Sequence, residues 1–213
     1  MPHIARLPSF PPARLQPTRL AHDRLSLPSY RILYSMDAHA NTHPATETAE
    51  PSQHTPIVSV RDIAADNWRD ALALSLHPAQ LRFVSGTLYP VALALAKAYI
   101  RPGGLHVAPF GIYADEVMVG FFALSYEPDS TDRYLLMHFL IDTAHQRRGY
   151  GLAALHAFAS LLPHRYSTCT SVSLTMHPDN VPARSLYTRF GFEDTGTLLF
   201  GEPCYRLTVS PAS

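Results

Sequence analysis

One stretch in the second half of the chain restricts the fold more than any other. Residues 139–162 begin with an apolar run at 139–141, pass through a segment with two glycines, and continue with apolar residues at helical spacing. This order predicts a strand, a glycine loop and a helix. The first amides of a helix have no partners within it and lie at the positive end of its dipole, so such a loop can bind an anion. Arg147 and Arg148 would add positive charge there, and the expected ligand is a phosphate or a pyrophosphate.

The spacing of the glycines excludes two common nucleotide-binding loops. Dinucleotide folds require G-x-G-x-x-G and P-loops require G-x-x-x-x-G-K-[ST], whereas the segment from Gly149 to Leu152 matches neither. Residues 146–151 instead fit the pattern Q/R-x-x-G-x-G/A. An ordinary strand-to-helix turn with two glycines is the alternative at this point.

Charge and cysteine content exclude several classes of protein. The formal net charge of the 213 residues is zero, so neither a nucleic-acid partner nor an anionic membrane is expected. Cys169 and Cys204 match no zinc or CxxC spacing, which indicates a reducing compartment and no metal site. No apolar run reaches the roughly 18 residues that a membrane span needs. We therefore expect a soluble, cytoplasmic protein.

Residues 1–56 differ in composition from the rest of the chain. They contain 9 of the 19 prolines and five of the 12 histidines, without helical or strand periodicity. This predicts a disordered leader, followed by one domain over 57–213. Five arginines and one acid in the first 36 residues are typical of a transit peptide. Four early prolines interrupt any amphipathic helix, however, and favour the alternative that residues 1–35 are an upstream extension before Met36.

Residues 57–209 alternate between strand and helix patterns. The first helix is predicted to start at Asp66 as its N-cap, and the sheet is expected to be mixed, as in α/β domains. Strands are predicted at 57–61, 109–113, 117–124, 134–141, 171–176 and 204–209. Helices are predicted at 66–74, 91–100 and 182–190, in addition to the one that follows the glycine loop.

A second signature follows the glycine loop after about 30 residues. Residues 177–192 read HPDNVPARSLYTRFGF and contain N-x-x-A-x-x-x-Y-x-x-x-G-F. With both signatures in this order, the chain resembles the GNAT superfamily of acetyl-CoA-dependent N-acetyltransferases. The resemblance implies the α/β GNAT acyl-CoA N-acyltransferase fold, a mixed, mostly antiparallel sheet flanked by helices, with a splayed central strand. It also implies acetyl-CoA as co-substrate, with its pyrophosphate on the loop.

The resemblance further implies which residues bind the cofactor. In this family a bulge splays the strand before the loop, and the pantetheine arm of CoA pairs with the freed backbone. Backbone groups of 140–142 would then hold the pantetheine, and 146–152 the pyrophosphate. Asn180 would bond the CoA arm or cap the following helix, and the two roles are compatible. The implied set is Leu140, Ile141, Asp142, Gln146, Arg147, Arg148, Gly149, Tyr150, Gly151, Leu152 and Asn180.

Three side chains are candidates for acid–base chemistry. An amine acetyltransferase must accept a deprotonated amine and protonate the departing thiolate. Tyr187 stands at the general-acid position of the family, and its alternative role is that of a core aromatic residue. An alkylamine has a pKa of about 10 and needs a base, for which His138 and Glu202 are the candidates. A lone histidine on a strand is more often a packed residue.

Within the superfamily, residues 57–209 resemble the bacterial spermine/spermidine (diamine) acetyltransferase-like branch. The likeness lies in short segments at 61–63, 67–68, 80–84, 95–99, 109–113, 119–121 and 138–142. Three positions depart from that branch: Lys97 replaces an acidic residue, His138 an arginine, and Gly86-Thr87 an asparagine. These positions lie where an amine could be recognised, so the resemblance implies the cofactor but leaves the amine open.

The sequence therefore predicts an acetyl-CoA-dependent N-acetyltransferase that works by direct attack in a ternary complex. The expected acceptor is a primary amine of a small molecule, with polyamines such as spermidine and spermine among the candidates. Two alternatives stay open, a non-catalytic acyl-CoA-binding sensor and an acetyltransferase for a protein or peptide amine. Dimers are common in the superfamily, so a homodimer is also considered.

Overall fold

The computed structural model describes residues 55–84 and 89–210 of the chain. The leader predicted over 1–56, including the position of Met36, lies outside the described residues except for 55 and 56. The strands are β1 (Val58–Asp62), β2 (His106–Ala114), β3 (Val117–Tyr126), β4 (Tyr134–Ile141), β5 (Ser171–Thr175), β6 (Glu193–Leu199) and β7 (Glu202–Thr208). The helices are α1 (Trp68–Ala73), α2 (Pro90–Ile100), α3 (Tyr150–Arg165) and α4 (Val181–Phe190), with short 3₁₀ turns at Pro78–Phe83, Pro102–Gly104 and Thr143–His145.

The strands form one seven-stranded sheet in the order β1-β2-β3-β4-β5-β7-β6. Every neighbouring pair is antiparallel except β4 and β5, which run parallel. This parallel pair is joined at a single position, Leu135 opposite Ser173, after which the two strands separate. The mixed, mostly antiparallel sheet with a splayed centre confirms the predicted fold.

Two apolar clusters lie on opposite faces of the sheet. Phe122 of β3 belongs to a larger cluster with Phe158 of α3, and the preceding Phe121 belongs to a smaller cluster with Val91 of α2. Because successive side chains of a strand point to opposite faces, the helices must flank both sides. α1 and α2 cover one face, and α3 and α4 cover the other.

A β-bulge interrupts the pairing of β4 with β3. Between the paired positions Met137 and Leu140, β4 has two residues, His138 and Phe139, where β3 has only Phe122. His138 has a φ of 53°, in the left-handed region that costs a residue other than glycine about 1 kcal/mol. Bulges of this kind bend a strand and redirect its side chains, often next to a functional site.

The bulge also shifts the alternation of side chains along β4. Before it, Tyr134 and Leu136 belong to the larger cluster, and both positions are even-numbered. After it, Phe139 and Ile141 pack against the same cluster, and both positions are odd-numbered. Because of the one extra residue, the positions that face this cluster change from even-numbered to odd-numbered along β4.

The structure differs from the predicted secondary structure in two places. The first helix starts at Trp68 with Asn67, not Asp66, at its N-cap position, and the Asn67 side chain makes no capping bond. That amide instead accepts a hydrogen bond from the Ala64 amide at 2.8 Å and donates one to the Asp62 carbonyl at 2.9 Å. Strand β6 was not predicted, because it is an edge strand rich in exposed polar residues and contains Gly196. The other predicted strands and helices are present.

Candidate active site

A cleft of about 560 Å³ opens where β4 and β5 separate. Its walls come from both strands, from α2 and α4, from the Pro78–Phe83 turn, and from the turn between β6 and β7. The three predicted catalytic residues, Tyr187, His138 and Glu202, all line it although they lie far apart in the sequence. The structure thus brings the candidate acid and both candidate bases to one place.

Tyr187 is a buried residue of α4 that also lines the cleft. Its ring packs edge-on against Phe139 and Phe192, with centroid distances of 6.1 and 5.6 Å. Burial raises the pKa of Tyr187 well above its usual value. The phenol therefore stays protonated at neutral pH and can donate a proton or a hydrogen bond into the cleft. Core packing, the alternative that the sequence left open, is present.

His138 occupies the bulge, and its environment makes it a poor base. Its Nε2 atom is buried and has no hydrogen-bond partner among the described residues. Burial, with a smaller contribution from the positive charge of Lys97, lowers the pKa of His138 from 6.5 to about 4. The imidazole is neutral at pH 7, but a group with so low a pKa gives little driving force for taking a proton from an alkylammonium.

Glu202 supplies the only carboxylate among the described residues that line the cleft. It begins β7, directly after a tight turn in which Phe200 and Gly201 have φ values of 55° and 81°. The Glu202 residue is partly buried, so its carboxylate can face the cleft and still contact water. These features favour Glu202 over His138 as the proton acceptor.

The segment that follows β4 has the features of an anion site. Gly149 is the N-cap residue of α3 with a φ of 82°, and no side chain caps the first amides of this helix, at Tyr150, Gly151 and Leu152. A Cβ atom at Gly149 would meet nothing within 4 Å, so the space beside the backbone is open. Arg147 and Arg148 are exposed nearby. Uncapped amides, open space and two guanidinium groups fit the pyrophosphate of acetyl-CoA.

Gly151 has a different role from Gly149. A Cβ atom there would lie 3.3 Å from Leu186 Cδ2 and 3.8 Å from Phe139 Cε1. The absence of a side chain therefore lets α3 pack closely on α4 and β4. Of the two loop glycines, Gly149 is required by backbone conformation and Gly151 by packing.

Side chains of the predicted cofactor set also shape the loop itself. Asp142 Oδ2 accepts hydrogen bonds from the Ser75 amide at 2.7 Å and the Ser75 hydroxyl at 3.1 Å, and Oδ1 accepts one from the Ala144 amide. Burial tends to raise the pKa of Asp142, but these hydrogen bonds outweigh it and the pKa is lowered. The Asp142 amide donates to the Val119 carbonyl at 2.9 Å. That amide is thus paired within the protein, and the placement of pantetheine on backbone groups of 140–142 stays a prediction.

Three further members of the set are likewise partly engaged within the protein. Gln146 Nε2 donates to the Ile141 carbonyl at 3.0 Å, while Leu140 is buried in the smaller apolar cluster. Asn180 caps α4, since its Oδ1 accepts from the Ala183 amide at 3.3 Å. The residue also lines the cleft, so a bond from Nδ2 to the CoA arm is compatible with the cap.

The cleft includes residues that sequence reasoning did not assign to the site. Arg82 and Phe83 come from the Pro78–Phe83 turn, and His177 precedes the second signature. The Arg82 guanidinium lies 4.6 Å from the Phe83 ring centroid, and the His177 ring lies 5.5 Å from the same ring. His177 could have been found from its place beside Asn180, whereas no local signal marks Arg82.

Two features are absent from the described ranges 55–84 and 89–210. No group of three or more histidine, cysteine, aspartate or glutamate side chains in these ranges could hold a metal ion. No helix in the same ranges is long and apolar enough to cross a bilayer.

Comparison with known proteins identifies the family. The model of the acetyltransferase (GNAT) family matches residues 68–192. The chain is 29% identical over 143 residues to a spermine/spermidine N(1)-acetyltransferase of Bacillus subtilis strain 168, covering 67% of this chain and 92% of that protein. It is 33% identical over 132 residues to a mycothiol acetyltransferase of Clavibacter sepedonicus, covering 61% of this chain and 40% of that one.

A solved structure agrees with this assignment at the level of the fold. The structure of spermidine N-acetyltransferase from Vibrio cholerae, in complex with CoA and spermine, superposes with a TM-score of 0.57 at 13% identity, covering 72% of this chain and 96% of that one. The family match spans more than half of the chain, and the splayed central strands and the glycine loop before α3 agree with it. This chain therefore belongs to the acetyltransferase (GNAT) family, whose members transfer acetyl groups from acetyl-CoA.

Proposed function

We propose that the protein acetylates a primary amine of a small molecule by direct attack on acetyl-CoA in a ternary complex. The observation that carries this proposal is the cleft, where Tyr187 and Glu202 meet the bulged part of β4. Spermidine and spermine are the first compounds to test, because the Bacillus subtilis relative is a spermine/spermidine acetyltransferase.

The cofactor would bind along the gap between β4 and β5. The first amides of α3 together with Arg147 and Arg148 would hold the pyrophosphate. The gap beyond Leu135 and Ser173 leaves backbone groups of β4 unpaired with β5, and the pantetheine arm could pair with them as an added strand. The thioester would then lie near the bulge, within the cleft.

The proton transfers can be assigned to two side chains. Glu202 would take the ammonium proton, directly or through water, and release it to solvent, and it would take a second proton from nitrogen as the neutral amine forms its bond to the acetyl carbon. As the carbon–sulfur bond breaks, the Tyr187 phenol would donate its proton to the departing thiolate. Solvent then returns the proton from Glu202 to the phenol, so both groups are restored. Neutral His138 would line the cleft without taking part in either transfer.

Release of free thiol from acetyl-CoA tests this proposal directly. The full chain is incubated with acetyl-CoA and spermidine, spermine, simple monoamines or a short peptide with a free N-terminus. Thiol release with the small amines supports the proposal, and mass spectrometry of the product identifies the acetylated nitrogen. Release with the peptide alone would support a protein or peptide amine acetyltransferase. Binding of acetyl-CoA without any release would support the non-catalytic sensor.

A further inference from the structure

The charge of the cleft is opposite to that expected for a polyamine site. Its charged side chains among the described residues are Arg82, Lys97 and Glu202, two cations against one carboxylate. A site for a di- or tricationic amine needs a surplus of carboxylates to bind the ammonium groups that do not react. In this cleft, positive side chains outnumber negative ones.

Lys97 is the central element of this charge distribution. It is the only lysine in the 213 residues, and it lies on α2 one turn after Leu93, which lines the same cleft. The Lys97 residue is partly buried and forms no ion pair with any described residue. A lysine in the last turn of a helix also interacts favourably with the helix dipole. The dipole does not account for its placement in the cleft beside His138.

We propose that the acceptor is a primary amine that also carries an anionic group, a carboxylate in the simplest case, which is bound by Lys97. Glu202, at the start of β7, receives the reacting ammonium, and Arg82, an exposed residue of the lining, adds positive charge to the cleft. This assignment rests on the proposed acetyl transfer and specifies its substrate class. Such a zwitterion complements a site that contains both signs of charge, whereas a polyamine places an ammonium against Lys97.

Three four-carbon amines separate the possibilities by turnover. 1-Aminobutane, 4-aminobutanoate and 1,4-diaminobutane share a chain length and a reacting primary amine, but their far ends are neutral, anionic and cationic. We expect kcat/KM to be about 10-fold higher for 4-aminobutanoate than for 1-aminobutane, the usual effect of a charge-assisted contact, and lower again for the diamine. The measurement is thiol release at low salt, because screening weakens the effect.

Substitutions at Lys97 test whether this side chain determines the order of kcat/KM among the three amines. Lys97→Met removes the charge at similar length and should abolish the preference for 4-aminobutanoate. Lys97→Glu should reverse the order in favour of 1,4-diaminobutane. Arg69→Met is the matched control, since Arg69 is an exposed cation over the Trp68 ring and does not line the cleft. It should leave the order unchanged.

The single lysine allows a binding test that needs no turnover. Reductive methylation with ¹³C-formaldehyde labels Lys97 and the terminal amine, and it keeps the positive charge of both. In the CoA-loaded full chain, butanoate should shift the Lys97 methyl signal saturably, and butylammonium should not. The Lys97→Met variant identifies which of the two signals belongs to Lys97.

The outcomes distinguish this inference from the proposed function. Turnover of all three amines with the diamine equal or favoured, and no response to the Lys97 substitutions, would overturn the anionic substrate class and leave acetyl transfer standing. Thiol release from none of the amines in either panel would overturn the proposed function instead. In that case the butanoate titration still decides: a saturable shift supports an anion site at Lys97, and its absence overturns it.

Discussion

The side-chain amides of Gln80 and Gln146 bond to each other in both directions, with Nε2 to Oε1 distances of 3.2 and 3.0 Å. The two residues are 66 positions apart and connect the Pro78–Phe83 turn with the glycine loop that follows β4. Gln146 Nε2 also donates to the Ile141 carbonyl at the end of β4. The start of the loop is thus fixed from two sides before any ligand binds.

Breaking this pair should loosen the loop without removing a ligand contact. Each neutral hydrogen bond contributes about 1 kcal/mol, so Gln80→Ala should raise the Kd for acetyl-CoA about 3- to 10-fold. Calorimetry measures this Kd, and kcat at saturating acetyl-CoA should stay near the wild-type value. In a double-mutant cycle with Gln146→Ala, the two losses should be strongly non-additive. Additive losses would show that the two amides act separately.

The loop arginines should contribute to cofactor binding through charge. Arg147→Gln and Arg148→Gln each remove one exposed cation beside the uncapped start of α3. We expect each to raise the KM for acetyl-CoA about 5- to 30-fold at low salt, and the effect should decrease as ionic strength rises. Arg189→Gln, at an exposed position near the end of α4, is the control. A KM that is the same in all three variants would contradict the loop assignment.

The substitution Tyr187→Phe distinguishes a role of Tyr187 as proton donor from a role in core packing. The substitution removes the hydroxyl and keeps the ring that packs on Phe139 and Phe192. If the phenol protonates the thiolate, kcat should fall about 10²- to 10⁴-fold with little change in the Kd for acetyl-CoA. Tyr205→Phe is the control, because Tyr205 is a buried tyrosine outside the cleft. Equal kcat values in the two variants would show that Tyr187 contributes only to packing.

Glu202→Gln tests the base while keeping the shape of the side chain. Without the carboxylate, kcat/KM at pH 7 should fall about 10²-fold, since the amine must lose its proton to water. The deficit should shrink as pH rises towards the amine pKa of about 10, because more of the amine is then already neutral. Glu193→Gln, at an exposed position in β6, serves as the control. A deficit that does not depend on pH would argue against a role as base.

His138 should make the fold less stable in mild acid. Its pKa is about 4 in the folded protein and 6.5 when unperturbed, so between these values the unfolded chain binds more protons. The contribution is therefore fully favourable above pH 6.5 and is lost as the pH falls towards 4, by about 3 kcal/mol at most. His138→Asn removes the titration, and asparagine tolerates the φ of 53°.

Urea unfolding of the wild type and the His138→Asn variant at pH 7, 5.5 and 4.5 checks this. The difference in the free energy of unfolding between the two proteins should change steadily across this range, in favour of the variant at low pH. His164→Gln, an exposed histidine of α3, should show no such trend. A difference that is constant with pH would show that burial does not perturb His138.

Local patterns predicted the parts of the site that lie within single elements. The strand 134–141 was predicted with its observed ends, and the glycine loop and the helix that begins at Tyr150 follow it as expected. Here the apolar run, the glycine and the helical spacing all act on neighbouring residues. Tyr187 and Asn180 could be placed for the same reason, since one signature within α4 and its N-cap contains both.

Contacts between distant segments could not be predicted in this way. Asp66 and Asn67 are equally good caps by residue type, and what distinguishes them is tertiary, since Asn67 also donates to the Tyr113 hydroxyl at 3.1 Å. The Gln80–Gln146 pair and the entry of Arg82 into the cleft likewise depend on how separate elements meet. No periodicity within either segment carries that information.

The extra residue in β4 acts on the strand as a single-nucleotide insertion acts on a coding sequence. Counted by residue number, the side chains after His138 alternate between the faces in the opposite sense to those before it. Both halves of β4 nevertheless face the same two apolar clusters. The loop that follows Ile141 is attached to the shifted half. A deletion of His138 would remove the bulge and restore strict alternation, and Phe139 and Ile141 would still face their cluster. A one-residue deletion elsewhere in β4, with the bulge retained, would instead turn the residues on one side of the deletion to the opposite face of the sheet.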